Sequence, residues 1–108
     1  MAATPEAKVK KAVRQVLDGL GAYYVMPVTG GFGKQGAPDF LVCIKGRFYG
    51  IECKAGKNTV TALQEAELKK IEDARGHAFI VNEVTIDILR GALEAMEWVE
   101  EHNERAYD

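Results

Sequence analysis

Two β-rich runs, Phe40 to Ile44 and Phe48 to Cys53, are separated only by Lys45-Gly46-Arg47. A connection that short predicts an antiparallel hairpin. The hairpin returns Asp39, which precedes the first run in Pro38-Asp39, to the side of Glu52-Cys53-Lys54, which closes the second. Residues two apart on a strand share a face, so Glu52 and Lys54 point one way while Ile51 and Cys53 point the other, into the core. Gly50 and Ile51 ahead of Glu52 mark a buried central strand, where a carboxylate is costly unless it binds something.

Two carboxylates and a lysine at one end of a hairpin suit a hard cation acting on a phosphodiester. Asp39 and Glu52 would share the ion, and the backbone carbonyl of Cys53 is a natural third oxygen ligand, because magnesium takes oxygen donors almost exclusively. Lys54 would orient the attacking water or offset charge building up on the phosphorane-like transition state. The plainer alternative makes Asp39 a turn cap and Glu52–Lys54 an ion pair on an exposed strand.

The rest of the chain supplies an α/β frame. Thr4-Pro5 reads as N-cap and first helical position. Val9, Ala12, Val13, Val16, Leu17 and Leu20 recur at helical spacing, predicting a helix to about Asp18 that Gly19 and Gly21 stop. Tyr23 to Val28 is a strand candidate closed by Pro27, and Thr29 to Gly36 is a glycine-rich loop. A helix from about Thr61 to Arg75 ends on Gly76 as C-cap. His77 to Asn82 is a short strand, and a last helix from about Ile86 to Asn103 buries Leu89, Ala92, Leu93, Met96 and Val99. The order is α-β-β-β-α-β-α, a central mixed sheet flanked by helices. The loop Gly31-x-Gly33-x-x-Gly36 formally matches a dinucleotide fingerprint, but a strand follows it instead of a helix.

Length and charge narrow the function classes. At 108 residues the chain has room for one domain, 1–108, and one core. No apolar run reaches membrane-span length, and the N-terminus lacks a signal-peptide stretch, so the expected location is the cytoplasm, or the host cytoplasm for a phage-encoded protein. Cys43 and Cys53 are too few for a disulfide scaffold and have no metal-binding spacing. The net charge of −2 divides into +5 over residues 1–57 and −7 over residues 58–108. The half bearing the candidate site is therefore basic, which allows phosphate binding.

Gly36-x-Pro38-Asp39, Ile51-Glu52-x-Lys54 and a following helix with Gln64 resemble the PD-(D/E)xK nuclease superfamily, with its restriction-endonuclease-like core. More narrowly they resemble the VRR-NUC family, which includes compact phage and bacterial members. The resemblance spans the chain from the first helix to the strand near Phe79. It implies a Mg²⁺- or Mn²⁺-dependent DNA endonuclease, likened to Holliday-junction resolvases and acting as a homodimer on branched DNA. It also implies that Asp39, Glu52 and the Cys53 carbonyl bind metal and that Lys54 is the catalytic lysine. Cys53 stands where Val, Leu or Ile is commoner, which leaves the chemistry intact if only its carbonyl is used.

Other residues carry two readings. Glu6, on the apolar face of the first helix, joins the metal site in many such enzymes, yet an acidic first turn also suits the helix dipole. Gln64 stands where the family has a catalytic glutamine, yet Thr61-x-x-Gln64 also fits a capping box. Lys34 and Gln35 in the glycine loop, Lys57 after the motif, and Lys11 beside Lys8, Lys10 and Arg14 on the first helix are candidate DNA-backbone contacts or simply solvated charges. His77 and His102 lie far from the motif and read as incidental. Two rival functions stand beside the nuclease: a catalytically inactive nucleic-acid module on the same scaffold, and an interaction protein using its acidic C-terminal helix.

Overall fold

The computed structural model describes residues 3–28 and 34–99. Its elements follow the expected order: α1 (Pro5–Gly19), β1 (Tyr23–Val25), β2 (Phe40–Ile44), β3 (Arg47–Cys53), α2 (Ala62–Asp73), β4 (His77–Val81) and α3 (Ile86–Ala95). The four strands form one sheet in the order β1-β2-β3-β4. The first two pairings are antiparallel, and β3 pairs with β4 in parallel. Parallel neighbours need a crossover, which α2 supplies.

Strand alternation sorts the residues between two layers. Phe40, Val42 and Ile44 of β2 and Tyr49, Ile51 and Cys53 of β3 share one core with Val9, Val13, Val16 and Leu17 of α1 and with Leu89 and Leu93 of α3. On the opposite face α2 sits against β3 at Gly50. A Cβ there would lie 2.4 Å from Ile71 Cδ1 and 3.1 Å from Pro38 Cγ, so the missing side chain lets helix and loop close on the sheet.

The helix starts follow the sequence. Thr4 Oγ1 accepts from Ala7 N at 3.1 Å, and Pro5 opens α1. The hairpin turn is tighter than the three residues expected: Ile44 pairs with Arg47, leaving Lys45 and Gly46 at φ 55° and 78°. Two positive φ values are the pattern of a type I′ turn, whose twist suits a hairpin.

Three boundaries differ from the sequence reading. The first strand stops at Val25, paired with Leu41, instead of Val28; Pro27, two residues on, has no N–H to extend a ladder. After α2 the left-handed residue is Arg75, at φ 74°, and not Gly76. Gly76 N donates to Ile71 O at 2.8 Å and Arg75 N to Glu72 O at 2.9 Å, the two bonds of a Schellman cap, with Gly76 one position beyond the left-handed site. Gly76 is small for another reason: its Cβ would meet Ile71 Cγ2 at 2.8 Å and Phe48 Cδ1 at 3.2 Å.

The last helix ends at Ala95, eight residues before the expected Asn103. Met96 turns extended (φ −66°, ψ 133°), and the Lys45 ammonium donates to the carbonyls of Leu93 (3.2 Å), Glu94 (3.0 Å) and Met96 (2.9 Å). A lysine on the hairpin turn thus closes α3 from across the fold, satisfying carbonyls that a helix end leaves open. Val99 N then donates to Lys45 O at 3.0 Å, which lays the segment after α3 along the turn. The remainder of the expected helix, and Gly31 and Gly33 of the glycine loop, lie outside the described residues.

Candidate active site

The hairpin register determines what meets at the C-terminal end of β3. Phe40 opposes Ile51, so Asp39, one residue before Phe40, lies level with Glu52. Asp39 Oδ2 accepts a hydrogen bond from Cys53 N at 2.8 Å, which ties the residue before β2 to the end of β3. One oxygen of its carboxylate is thereby fixed by main chain.

Glu52 is 3% exposed on a central strand. Its Oε2 is one of two buried side-chain polar atoms without a hydrogen-bond partner among the described residues; the other is Tyr49 Oη. Burial pushes the Glu52 carboxyl up to about 8, helped by the hydrogen bond and negative charge of Asp39; Lys54 pulls the other way, and Glu6 adds to the rise. A buried acid with an unsatisfied oxygen facing a second carboxylate is the arrangement that a cation would relieve.

Lys10, read from the sequence only as a possible DNA-backbone contact, instead joins the site. Its ammonium lies 3.3 Å from Asp39 Oδ1 and 4.0 Å from Glu6 Oε2. Partial burial works against that charge, but Asp39 and then Glu6 outweigh it and hold the lysine above its ordinary value. The signal was present in the helix spacing. Lys10 follows Glu6 by four residues, so any placement of Glu6 at the site brings Lys10 with it.

Glu6 is half-exposed and near enough to act electrostatically on Glu52 and Cys53. Lys54, half-buried, continues the ladder by donating from its N to Val81 O at 2.9 Å, and its charge reaches Glu52. The Cys53 thiol is fully buried in the core, and desolvation raises its pKa strongly, so the side chain is inert and only its carbonyl remains to contribute.

The remaining candidates are placed as follows. Gln64 completes the capping box: its Oε1 accepts from Thr61 N at 2.9 Å, and its N donates to Thr61 Oγ1 at 3.2 Å. Lys34 is ion-paired with Glu67 Oε1 at 3.0 Å, while Lys70 holds Oε2 of the same carboxylate at 3.0 Å. The two lysines hold Glu67 below the usual carboxylate range. Gln35, Lys57 and Lys11 are exposed. His77 stacks on Tyr49, centroids 5.0 Å apart, at the far end of the sheet, and His102 lies outside the described residues.

Among the described residues no three His, Cys, Asp or Glu side chains converge to hold a metal ion. The donors at the β3 end are two carboxylates and a backbone carbonyl. That set fits magnesium, which commonly takes one or two carboxylates and keeps several waters.

The raised carboxyl has a measurable consequence. Its folded value of about 8 lies above the ordinary 4.5, so the stability contributed by protonated Glu52 is complete below pH 4.5 and is lost as pH rises through 8. Relative to Glu52→Gln, the ion-free protein is expected to lose roughly 5–10 °C of melting temperature between pH 5 and pH 8.5, equivalent to ~1–2 kcal/mol. Thermal melts of both proteins across that range check it, and parallel curves would contradict it.

No protein-family profile matches the chain, and no curated protein does. A solved structure described as a VRR_NUC domain superposes with a TM-score of 0.70 at 26% sequence identity, covering 81% of this chain and 95% of that one. No helix among the described residues is long and apolar enough to cross a membrane.

Proposed function

We propose that this chain, which belongs to the VRR-NUC family, is a nuclease domain spanning residues 1–108 that hydrolyses phosphodiester bonds of DNA with a divalent cation, Mg²⁺ or Mn²⁺. The observation that carries the reading is Glu52: buried, short of one hydrogen bond, and beside Asp39 at the C-terminal ends of β3 and β4. Asp39 and Glu52, with the Cys53 carbonyl, would hold the ion, and Glu6 of α1 would add its charge to the site. When bound, the ion supplies a Lewis acid for the phosphate and lowers the pKa of water.

The chain's own residues then have separable tasks. Lys54 orients the attacking water and offsets negative charge on the phosphate oxygens in the transition state. Lys10 partly neutralises Asp39 and Glu6, at 3.3 and 4.0 Å, and a cation held by Asp39 would take over that role. Lys34, Gln35, Lys57 and Lys11 contact the DNA backbone, which sets register without reading sequence. Gln64 is assigned to helix capping, because its amide oxygen is already bonded to Thr61 N.

Selectivity for branched or four-way-junction DNA and a two-fold homodimer are part of the same proposal. An exposed edge strand, with Tyr23 and Val25 of β1 facing solvent, supports the dimer as a surface a second copy would cover. Cytoplasmic action is proposed with it. The test incubates the protein with single-stranded, duplex, flap and four-way-junction DNA and Mg²⁺ or Mn²⁺, beside Glu52→Ala and Lys54→Ala. Cleavage by wild type alone, abolished by chelation, is expected. Equal nicking by all three proteins would overturn the assignment.

A further inference from the structure

At the opposite end of the sheet from Glu52, the hairpin turn, the end of α2 and the start of β4 enclose a cleft of about 510 Å³. Its volume lies within the range of small-molecule sites. Phe48, 44% exposed, and Ile71 give it an apolar wall, and Arg47, Lys70 and Arg75 give it three cations. No carboxylate is among its described lining residues. The combination of an apolar wall and a cluster of cations fits a ligand that is flat at one end and anionic at the other.

The cations differ in what they already hold. Lys70 shares Glu67 with Lys34. Arg47 donates from Nε to Glu97 O at 3.2 Å, a main-chain contact that positions the guanidinium without neutralising its charge. Neither Arg47 nor Arg75 pairs with a carboxylate among the described residues. Arg75 also occupies the left-handed position of the α2 cap, at φ 74°, where glycine would be easier. What this position provides beyond the cap is its side chain.

We propose that this cleft is a second substrate contact, taking one nucleotide of the nucleic-acid strand at a distance from the scissile bond. The phosphate lies against Arg47 and Arg75, and the base lies on Phe48, since every base has a face that stacks on an aromatic ring. The ligand's identity as a nucleic-acid strand rests on the nuclease reading. A route joins the two sites: Lys34, in the loop leading to Asp39, and Lys70, at the cleft, meet on Glu67 along α2. Phe48 and Glu52 stand four residues apart on β3, roughly 13 Å, a gap of about two nucleotides, so the subsite binds a strand that extends past the cut.

The test uses fluorescence anisotropy of a labelled single-stranded oligonucleotide, in chelator so that nothing is cut, with wild type, Arg75→Gly, Phe48→Ala and Gly19→Ala. Arg75→Gly removes the charge at a position where glycine relaxes the backbone, so weaker binding by this variant cannot be ascribed to misfolding. It is expected to bind about tenfold more weakly and to lower the log–log salt slope by about one. Phe48→Ala is expected to bind about fivefold more weakly with the slope unchanged. Gly19→Ala, in open space at the end of α1 and remote from both sites, is expected to bind as wild type does.

Wild-type affinity in both cleft variants would overturn the subsite and leave the nuclease intact. Arg75-dependent binding of free dAMP, with oligonucleotide binding indifferent to Arg75, would also overturn it, in favour of a free-nucleotide site. Loss of oligonucleotide binding in the cleft variants of a protein that cuts no DNA would support the subsite and overturn the nuclease reading instead.

Discussion

Glu52→Gln is expected to abolish DNA cleavage, by ~10³-fold or more, while making the ion-free protein more stable above neutral pH. The two effects share one cause. At neutral pH the folded, ion-free protein keeps Glu52 largely protonated, because burial and the neighbouring Asp39 push its carboxyl up to about 8. Glutamine keeps the shape and a hydrogen-bond donor toward Asp39, and it removes the charge that the fold resists. It also removes the oxygen ligand that a cation needs, and with it the electrostatic stabilisation of the transition state. Cleavage kinetics and thermal melts at pH 8 on the same preparations check both signs. A variant that melted lower than wild type and kept its activity would show Glu52 to be an ordinary structural carboxylate.

Gly36→Ala is expected to cost about 2–3 kcal/mol and to depress activity with it. Gly36 sits at φ 78°, where any other residue pays roughly 1–2 kcal/mol. A Cβ there would also lie 2.7 Å from both the carbonyl carbon and oxygen of Leu63, main-chain atoms of α2 that cannot move aside cheaply. The glycine therefore pins the loop to the first turn of α2, two residues before Pro38 enters its place over Gly50 and three before Asp39. Denaturant melts give the stability loss, and the metal-dependent cleavage rate gives its effect on Asp39. Gly19→Ala, in open space at the end of α1, serves as the control and is expected to be nearly neutral.

The parts of this fold legible in the sequence are those whose causes are local. The short connection at Lys45-Gly46-Arg47 returns Asp39 to the side of Glu52, although the turn closes one residue tighter than expected, and a strand's alternation puts Cys53 in the core. The Thr4 cap and the Thr61–Gln64 box rest on contacts three residues apart, and both stand in the structure. The misses have distant causes. Lys45 closes α3 from 51 positions before Met96, so the helical stripe through Met96 and Val99 continues in the sequence after the helix has ended. The i,i+4 spacing of Glu6 and Lys10 is visible in the sequence, but that Lys10 meets Asp39 depends on α1 packing across the end of the sheet, which the spacing does not reveal.

The Arg75 cap shows a third kind of miss. The sequence offers Gly76 as an obvious helix stop, and α2 ends shortly before it at Asp73, but the chain places the left-handed turn one residue before the glycine, on an arginine. Local preference favours the opposite choice, and the departure falls on one of the three cations that line the far cleft.

The claim that Asp39 and Glu52 hold a divalent cation is tested most directly by calorimetric titration of Mn²⁺ into wild type and Glu52→Gln at pH 7. Because Glu52 must shed its proton to take the ion, the expected result is one ion per chain with close to one proton released, read from the dependence of the heat on buffer ionisation, and no binding by the variant. Binding of equal strength to both proteins without proton release, or no binding to wild type, would contradict it.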